Sequence, residues 1–247
     1  MTDLVDFAAS VARAAGDLLL RIRERGDLAG RALGDRGDAE ANALILAMIS
    51  ERYPDDAILS EESRDDLARL DCRRLWIIDP LDGTREYREG RNDWAVHIGL
   101  AIDGAAAVGA VALPAESLIF ASSSDLPRPD PKKSRNIVVS RTRPPAIATT
   151  IADALGATII AMGSAGAKAM AVVRGDADIY LHEGGQHEWD NCAPVAVAQA
   201  AGLHCSTLTG APLAYNQREP TTPTLLICRA ELASEVLALI DRDGSPE

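Results

Sequence analysis

Basic charge, aromatic rings and paired cysteines are what this chain has little of. Its 247 residues hold 25 Lys and Arg against 37 Asp and Glu, and aromatics make up 4%. A formal net charge of −12 with so few stacking faces argues against nucleic-acid polymers, which call for cationic patches and rings. The same charge opposes an anionic membrane surface. Cys72, Cys192, Cys205 and Cys228 are scattered, with no C-x-x-C pair. A chain long enough to bury a substantial core does not need disulfides, so reduced thiols in a cytoplasmic protein are expected. No signal peptide, membrane span, internal repeat or extended low-complexity segment is visible. No G-x-G-x-x-G follows a strand-like run, which leaves a dinucleotide oxidoreductase with little support. Gly163–Lys168 lacks the Gly before the Lys and the Ser or Thr after it that a phosphate-binding loop needs.

What is present is an ordinary globular composition, 47% hydrophobic. Leu4, Ala8, Val11, Ala15, Leu18 and Ile22 alternate steps of four and three, predicting a helix with one apolar face. Gly26–Gly37 is rich in glycine and charge and reads as a loop. Asp38 then caps a second helix carrying Ala41, Leu44, Ile45, Met48 and Ile49, which ends before Tyr53-Pro54. Strand-like runs follow at Ala57–Leu59, Leu75–Ile78, Ala95–Ile102, Ala105–Leu113 and Ser117–Ala121, with a hairpin signal at Asp103-Gly104. The polar, proline-rich stretch Ser123–Ser134 is the clearest break and divides the chain into halves, 1–134 and 135–247. Beyond it strands and helices alternate: strands at Ile137–Val139, Thr158–Ala161, Ala177–Leu181, Leu203–Cys205 and Thr224–Cys228. Helices are expected from Pro144, from Ser164 to Val173, from Asn191 to Ala201 and through Leu232, Val236 and Leu239. The fold class is α/β, an α+β first half and an α/β second half, with helices covering sheets in layers.

The most informative segment is Trp76-Ile77-Ile78-Asp79-Pro80-Leu81-Asp82-Gly83-Thr84. An apolar strand ends in two carboxylates, and Pro80 disfavours a helical conformation at Asp79, so the pair belongs to a turn at the strand's end. One reading is a plain Asp-Pro-x-Asp-Gly surface turn. The other is a cation site, because two converging carboxylates repel unless a cation or proton lies between them. Acids elsewhere favour the second. Glu61 and Glu62 close the run Ala57–Ser60, and Asp190 precedes an Ala/Val helix, where it could instead be a simple cap. Glu61, Asp79, Asp82 and Asp190 together would put a charge of about −4 in one pocket, tenable only with bound cations. All the donors are oxygens, which suits Mg2+ and not zinc or copper.

Ser-Glu-Glu, Asp-Pro-Leu-Asp-Gly-Thr and Glu-Trp-Asp, in that order, resemble the Mg2+-dependent, lithium-sensitive inositol monophosphatase superfamily. Within it they are most similar to the CysQ-type 3′-phosphoadenosine 5′-phosphate phosphatases. The likeness runs along nearly the whole chain. It implies a layered αβαβα sandwich of the inositol monophosphatase and fructose bisphosphatase type, two or three Mg2+ ions, and frequent dimers. By resemblance, Glu61, Asp79, Asp82 and Asp190 are metal ligands together with the Leu81 carbonyl. Asp38 and Thr84 orient and deprotonate the attacking water, and Gly83 and Thr84 amides hold phosphate oxygens. For Asp38 the alternative remains a plain helix cap. Of the adjacent acids, the family points to Glu61 over Glu62. The lysine that the family carries before the Asp38 helix has no clear counterpart, although Arg31 and Arg36 are nearby.

Substrate choice rests on Arg85, Lys168 and His182. Arg85 stands where bisphosphate nucleotidases carry a basic residue, and Lys168 matches a lysine that these relatives use near the nucleotide. His182 replaces an acid that inositol phosphatases direct at sugar hydroxyls. The alternatives are a solvated charge, a helix-face lysine and a core histidine. The resemblance thus implies removal of the 3′-phosphate from adenosine 3′,5′-bisphosphate, clearing a by-product of sulfate activation. The alternative is an inositol monophosphatase, with activity also on fructose 1,6-bisphosphate. A haloacid-dehalogenase-like phosphatase spaces its two acids by two, on one side of an extended segment; here the spacing is three, with a proline between.

Overall fold

The computed structural model describes residues 1–65, 67–123, 126 and 135–243. Two long helices come first, α1 (Thr2–Arg25) and α2 (Gly30–Arg52). The apolar steps of α1 bury Ala8, Val11, Ala15, Leu19 and Ile22, and the helix stops at Gly26, whose φ of 66° suits glycine. The predicted loop Gly26–Gly37 is a correction. It is short, α2 begins at Gly30, and Asp38 lies inside the helix instead of capping it. Glycine-rich sequence reads as loop because Gly lowers helix propensity by about 1 kcal/mol. Here Gly34 and Gly37 serve close packing instead. A Cβ at Gly34 would lie 2.8 Å from Thr84 Cγ2, and one at Gly37 would lie 3.2 Å from Leu81 Cδ2. Helix α2 therefore approaches the central motif closely, with Asp38 on the approaching side.

The first sheet has the order β1-β2-β3-β4-β5, formed by Ala57–Ser60, Arg74–Asp82, Ala95–Ile102, Ala105–Leu113 and Leu118–Ala121. Strands β1 and β2 run parallel and the others antiparallel. The β3–β4 hairpin turns at Asp103 and Gly104, both with positive φ (51° and 77°), as an Asp-Gly turn requires. The second sheet has the order β7-β6-β8-β10-β9. Its strands are β6 (Arg135–Ser140), β7 (Ala157–Met162), β8 (Ile179–His187), β9 (His204–Ser206) and β10 (Thr221–Cys228).

Among the described residues five further α-helices follow: α3 (Thr84–Arg88), α4 (Ile147–Leu155), α5 (Ala165–Val173), α6 (Glu188–Ala200) and α7 (Ala233–Asp243). Three buried clusters show the stacking. Side chains of α1 and α2 pack on the outer face of the first sheet. Those of α5 and α6 fill the space between the sheets, and those of α4 and α7 close the far face of the second. The layers run helix, sheet, helix, sheet, helix. Burying both faces of each sheet explains the near-continuous apolar strands. Of the proline-rich stretch Ser123–Ser134, only Ser123 and Leu126 are among the described residues.

Candidate active site

The turn expected at Asp79–Asp82 is instead the bulged end of β2, a second correction. Asp79 pairs with His97 and Asp82 with Ala95, so three steps on β2 face two on β3. In a regular strand, residues three apart point to opposite faces. The extra residue cancels that alternation and turns both carboxylates to one side. Pro80, which cannot donate to a ladder, sits inside the irregularity. Both acids are buried, and Asp79 Oδ1 accepts the Leu81 N–H at 3.0 Å.

Parallel pairing places the end of β1 beside the end of β2. Ser60 pairs with Ile78, and Glu61 N–H donates to the Ile78 carbonyl at 3.2 Å, which sets Glu61 next to Asp79. Asp190 comes from the third side. It lies in the first turn of α6, one turn further in than an Asn191 start would place it, and its Oδ2 accepts the His187 N–H at 2.6 Å. Asp190 thus supports the helix start from inside the first turn, with His187 as the cap residue, and that bond does not exclude the other role. One carboxylate oxygen from each of Asp79, Asp82 and Asp190 lies within 4.8 Å of the other two. Glu61 lines the same cavity but stands outside that tight group.

Electrostatics reports the crowding. Asp79 is pushed well above the usual carboxylate range by burial and by Glu61, Asp82 and Asp190. Asp190 rises to about 6, through burial and Asp82. Glu61 opens onto the cavity's solvent, yet protein on its other sides raises it to about 7, helped by Asp190, Glu62, Asp82 and Asp38. Asp82 moves the other way. Burial opposes its charge, but His97, Lys168 and the Gly166 N–H hold it below its ordinary value. Carboxylates so placed fit a hard cation that would replace the shared protons.

Asp38 reaches the rim of this group from α2. Its carboxyl meets the Thr84 hydroxyl, which also donates to the Leu81 carbonyl at 3.1 Å. Burial, followed by the charges of Glu62 and Asp35, raises Asp38 to about 7, with Arg88 opposing. Gly83, φ 87°, turns the chain into the five-residue helix α3.

Glu61, Asp82 and Asp190 line a cavity of about 920 Å³ whose other wall is cationic. Arg85 is exposed at its edge. Lys168 is no helix-face lysine. It is buried, donates Nζ–H to the Gly163 carbonyl and, at 2.7 Å, to that of Ser164, and sits over the Tyr180 ring. Burial lowers its pKa to about 8. His182 is buried too, and neither ring nitrogen has a hydrogen-bond partner of good geometry. Burial and the Lys168 charge keep it neutral down to about 4.

Two residues on these walls, and one buried behind the acids, went unread in the sequence. Arg141 is tied to Glu86 (2.7 Å) and Glu89 (3.0 Å). Arg143 lies against Gly185 and makes no ion pair among the described residues. His97, wholly buried on β3, has Nδ1 3.1 Å from the Trp189 carbonyl and Nε2 3.2 Å from Asp82 Oδ2, the latter off the line of a good hydrogen bond. Burial disfavours its charge, but Asp82 raises its pKa. The one signal for it was a lone imidazole in an apolar run.

Comparison with known proteins decides the family. Residues 2–241 match the profile of the inositol monophosphatase family. The chain belongs to that family. It is 50% identical to a 3′-phosphoadenosine 5′-phosphate phosphatase of Mycobacterium leprae (strain TN), over 94% of this chain and 92% of that one. It is 29% identical to the 3′(2′),5′-bisphosphate nucleotidase CysQ of Escherichia coli (strain K12), covering 87% and 95% respectively. Its fold superimposes on the crystal structure of CysQ from Bacteroides thetaiotaomicron with a TM-score of 0.81 and 25% identity, covering 92% of this chain and 97% of that one. The layered architecture is thus that of the inositol monophosphatase fold. All four cysteines of this family member are free thiols, Cys192 and Cys228 buried. Among the described residues no helix is long and apolar enough to cross a membrane.

Proposed function

We propose that this family member is a Mg2+-dependent phosphomonoesterase that removes the 3′-phosphate from adenosine 3′,5′-bisphosphate, giving AMP and phosphate. The observation that carries this reading is the 50% identity, over nearly the full length of both chains, to a 3′-phosphoadenosine 5′-phosphate phosphatase. The cavity supports it. Its volume of about 920 Å³ suits a nucleotide-sized ligand, with acids on the floor and cations on the wall.

Asp79, Asp82 and Asp190 would hold the ions, two or three of them, with Glu61 and the Leu81 carbonyl completing an all-oxygen donor set. Bound there, Mg2+ would supply charge neutralisation and a lowered pKa for water. Thr84 Oγ1 and Asp38 orient the attacking water, and Asp38, already poised near neutrality, takes its proton. The N–H groups of Gly83 and Thr84 open α3, where a helix lacks internal acceptors, and face the phosphate oxygens. Water attacks phosphorus, the ester bond to the 3′-oxygen breaks, and that oxygen takes a proton from solvent. Arg85, Lys168 and His182 contact the nucleotide side. A homodimer in the cytoplasm, inhibited by lithium and clearing a by-product of sulfate activation, completes the proposal.

The test is phosphate release from adenosine 3′,5′-bisphosphate, inositol 1-phosphate and fructose 1,6-bisphosphate, with Mg2+ and with a chelator. The bisphosphate nucleotide should be hydrolysed fastest, and only with Mg2+. Preference for either of the other substrates overturns the assignment.

A further inference from the structure

We propose that His97 is a positioning residue that holds Asp82 and the Trp189–Asp190 turn in one frame, setting the affinity of the acidic group for divalent cations. The inference rests on the metal-ligand reading of Asp82 and Asp190 above. His97 touches neither the nucleotide nor the water in that reading; it acts through the two acids.

Three elements converge on this one ring. Strand β2 brings Asp82, whose Oδ2 lies 3.2 Å from His97 Nε2. Helix α6 brings the Trp189 carbonyl, 3.1 Å from Nδ1. A carbonyl only accepts, so Nδ1 carries a proton and donates it. Helix α5 closes the third side. A Cβ at Gly166 would overlap His97 Nε2 and come within 2.9 Å of Ala95 Cβ, so only glycine lets the first turn of α5 reach the ring. In that position Gly166 N–H donates to Asp82 Oδ2 at 2.7 Å and Ala165 N–H to Oδ1 at 3.2 Å. The Asp82 carboxylate is therefore held by the two α5 N–H groups with the His97 ring packed against Oδ2, and Asp190 is held through the carbonyl of the residue beside it.

Asp82 sits on the first sheet and Asp190 on a helix entered from the second, separated by 107 intervening residues. Nothing covalent nearby sets their spacing. Repelling carboxylates would drift apart if the elements were free to move. The imidazole spans this junction without solvent access, which is how groups behind metal ligands fix their orientation.

The test is Mg2+ and Mn2+ binding to the full chain, by calorimetry and Mn2+ spin resonance, with no substrate present. H97L keeps the bulk and removes both polar contacts. Its cation affinity should fall about 10- to 100-fold, the range for lost groups behind metal ligands, and activity should return when Mg2+ is raised by that factor. H97Q, whose amide reaches Asp82, should stay within about threefold of the parent chain. H97N, which reaches only the Trp189 carbonyl, should fall about tenfold, at the low end of that range. Parent-like affinity in H97L overturns the proposal. Should H97L fail to fold, equal affinity in H97N and H97Q overturns it instead. If the parent chain binds no divalent cation at all, the metal-ligand reading fails first, and the two failures are told apart.

Discussion

Gly99 and Gly109 face each other across β3 and β4, and helix α6 lies in the slot that the pair leaves open. A Cβ at Gly99 would meet Cys192 Sγ at 2.9 Å, and one at Gly109 would overlap the Ala193 carbonyl oxygen and meet Ala196 Cβ at 2.9 Å. Depth in this slot decides how far the start of α6, and so Asp190, reaches towards Asp79 and Asp82. Gly109→Val should therefore do two things. Overpacking should lower stability by about 1–3 kcal/mol, read by denaturant unfolding. The displaced helix should also weaken Mg2+ binding in protein that remains folded. Lost stability with unchanged cation affinity would show that α6 can shift without moving Asp190.

Asp38 and Thr84 are expected to act in the chemical step and not in binding. Asp38→Asn keeps the size of the side chain and removes the proton acceptor. Its kcat should fall by about 10²–10⁴, the usual worth of a positioned base, while the dissociation constant for adenosine 3′,5′-bisphosphate changes little. Steady-state kinetics beside calorimetric binding separates the two. A raised dissociation constant with unchanged kcat would move Asp38 from chemistry to recognition.

Much of this was legible in the residues. The hairpin at Asp103-Gly104, strands β3 and β4 to the residue, and the order of the acidic motifs could all be read from local pattern. Two features could not. Gly34 and Gly37 look like loop residues until α3 and Leu81 are seen packed against them, because a close approach between distant segments leaves no mark on local periodicity. The Asp79–Asp82 bulge is likewise defined only by the count of residues on β3 opposite it. His97 and Arg143 stayed hidden for the same reason. Each is a single polar residue whose partners lie far along the chain, and spacing carries no trace of such contacts.

Protons and cations should compete for the acidic floor. Without metal, Asp38 and Glu61 titrate at about 7 and Asp190 at about 6, all above ordinary carboxylates. Between about pH 4 and about pH 7 these acids then bind more protons in the folded chain than in the unfolded one, so their contribution to stability falls as pH rises, outweighing the opposite contribution of His182. Thermal unfolding in chelator should show a lower Tm at pH 8 than at pH 5. Added Mg2+ should raise Tm more at pH 8, and its apparent affinity should climb through pH 6–7. A metal-free Tm that rises with pH across this window would contradict the crowding of these acids.

Arg143 stands on the cavity wall with no ion pair among the described residues, whereas Arg141 beside it is held by two glutamates. A free guanidinium there suits the second phosphate of a bisphosphate. Arg143→Ala should raise KM for adenosine 3′,5′-bisphosphate about tenfold, equivalent to about 1.4 kcal/mol, and leave 3′-AMP hydrolysis close to unchanged. Equal losses on both substrates would place the arginine elsewhere in the reaction.

Anomalous diffraction from crystals soaked in Mn2+ tests most directly whether these acids share cations. The account predicts a strong peak among Asp79, Asp82 and Asp190, with carboxylate oxygens at about 2.0–2.3 Å from it, the range for small divalent ions. A map with no peak there at saturating Mn2+, or with ions only on surface acids, would contradict it.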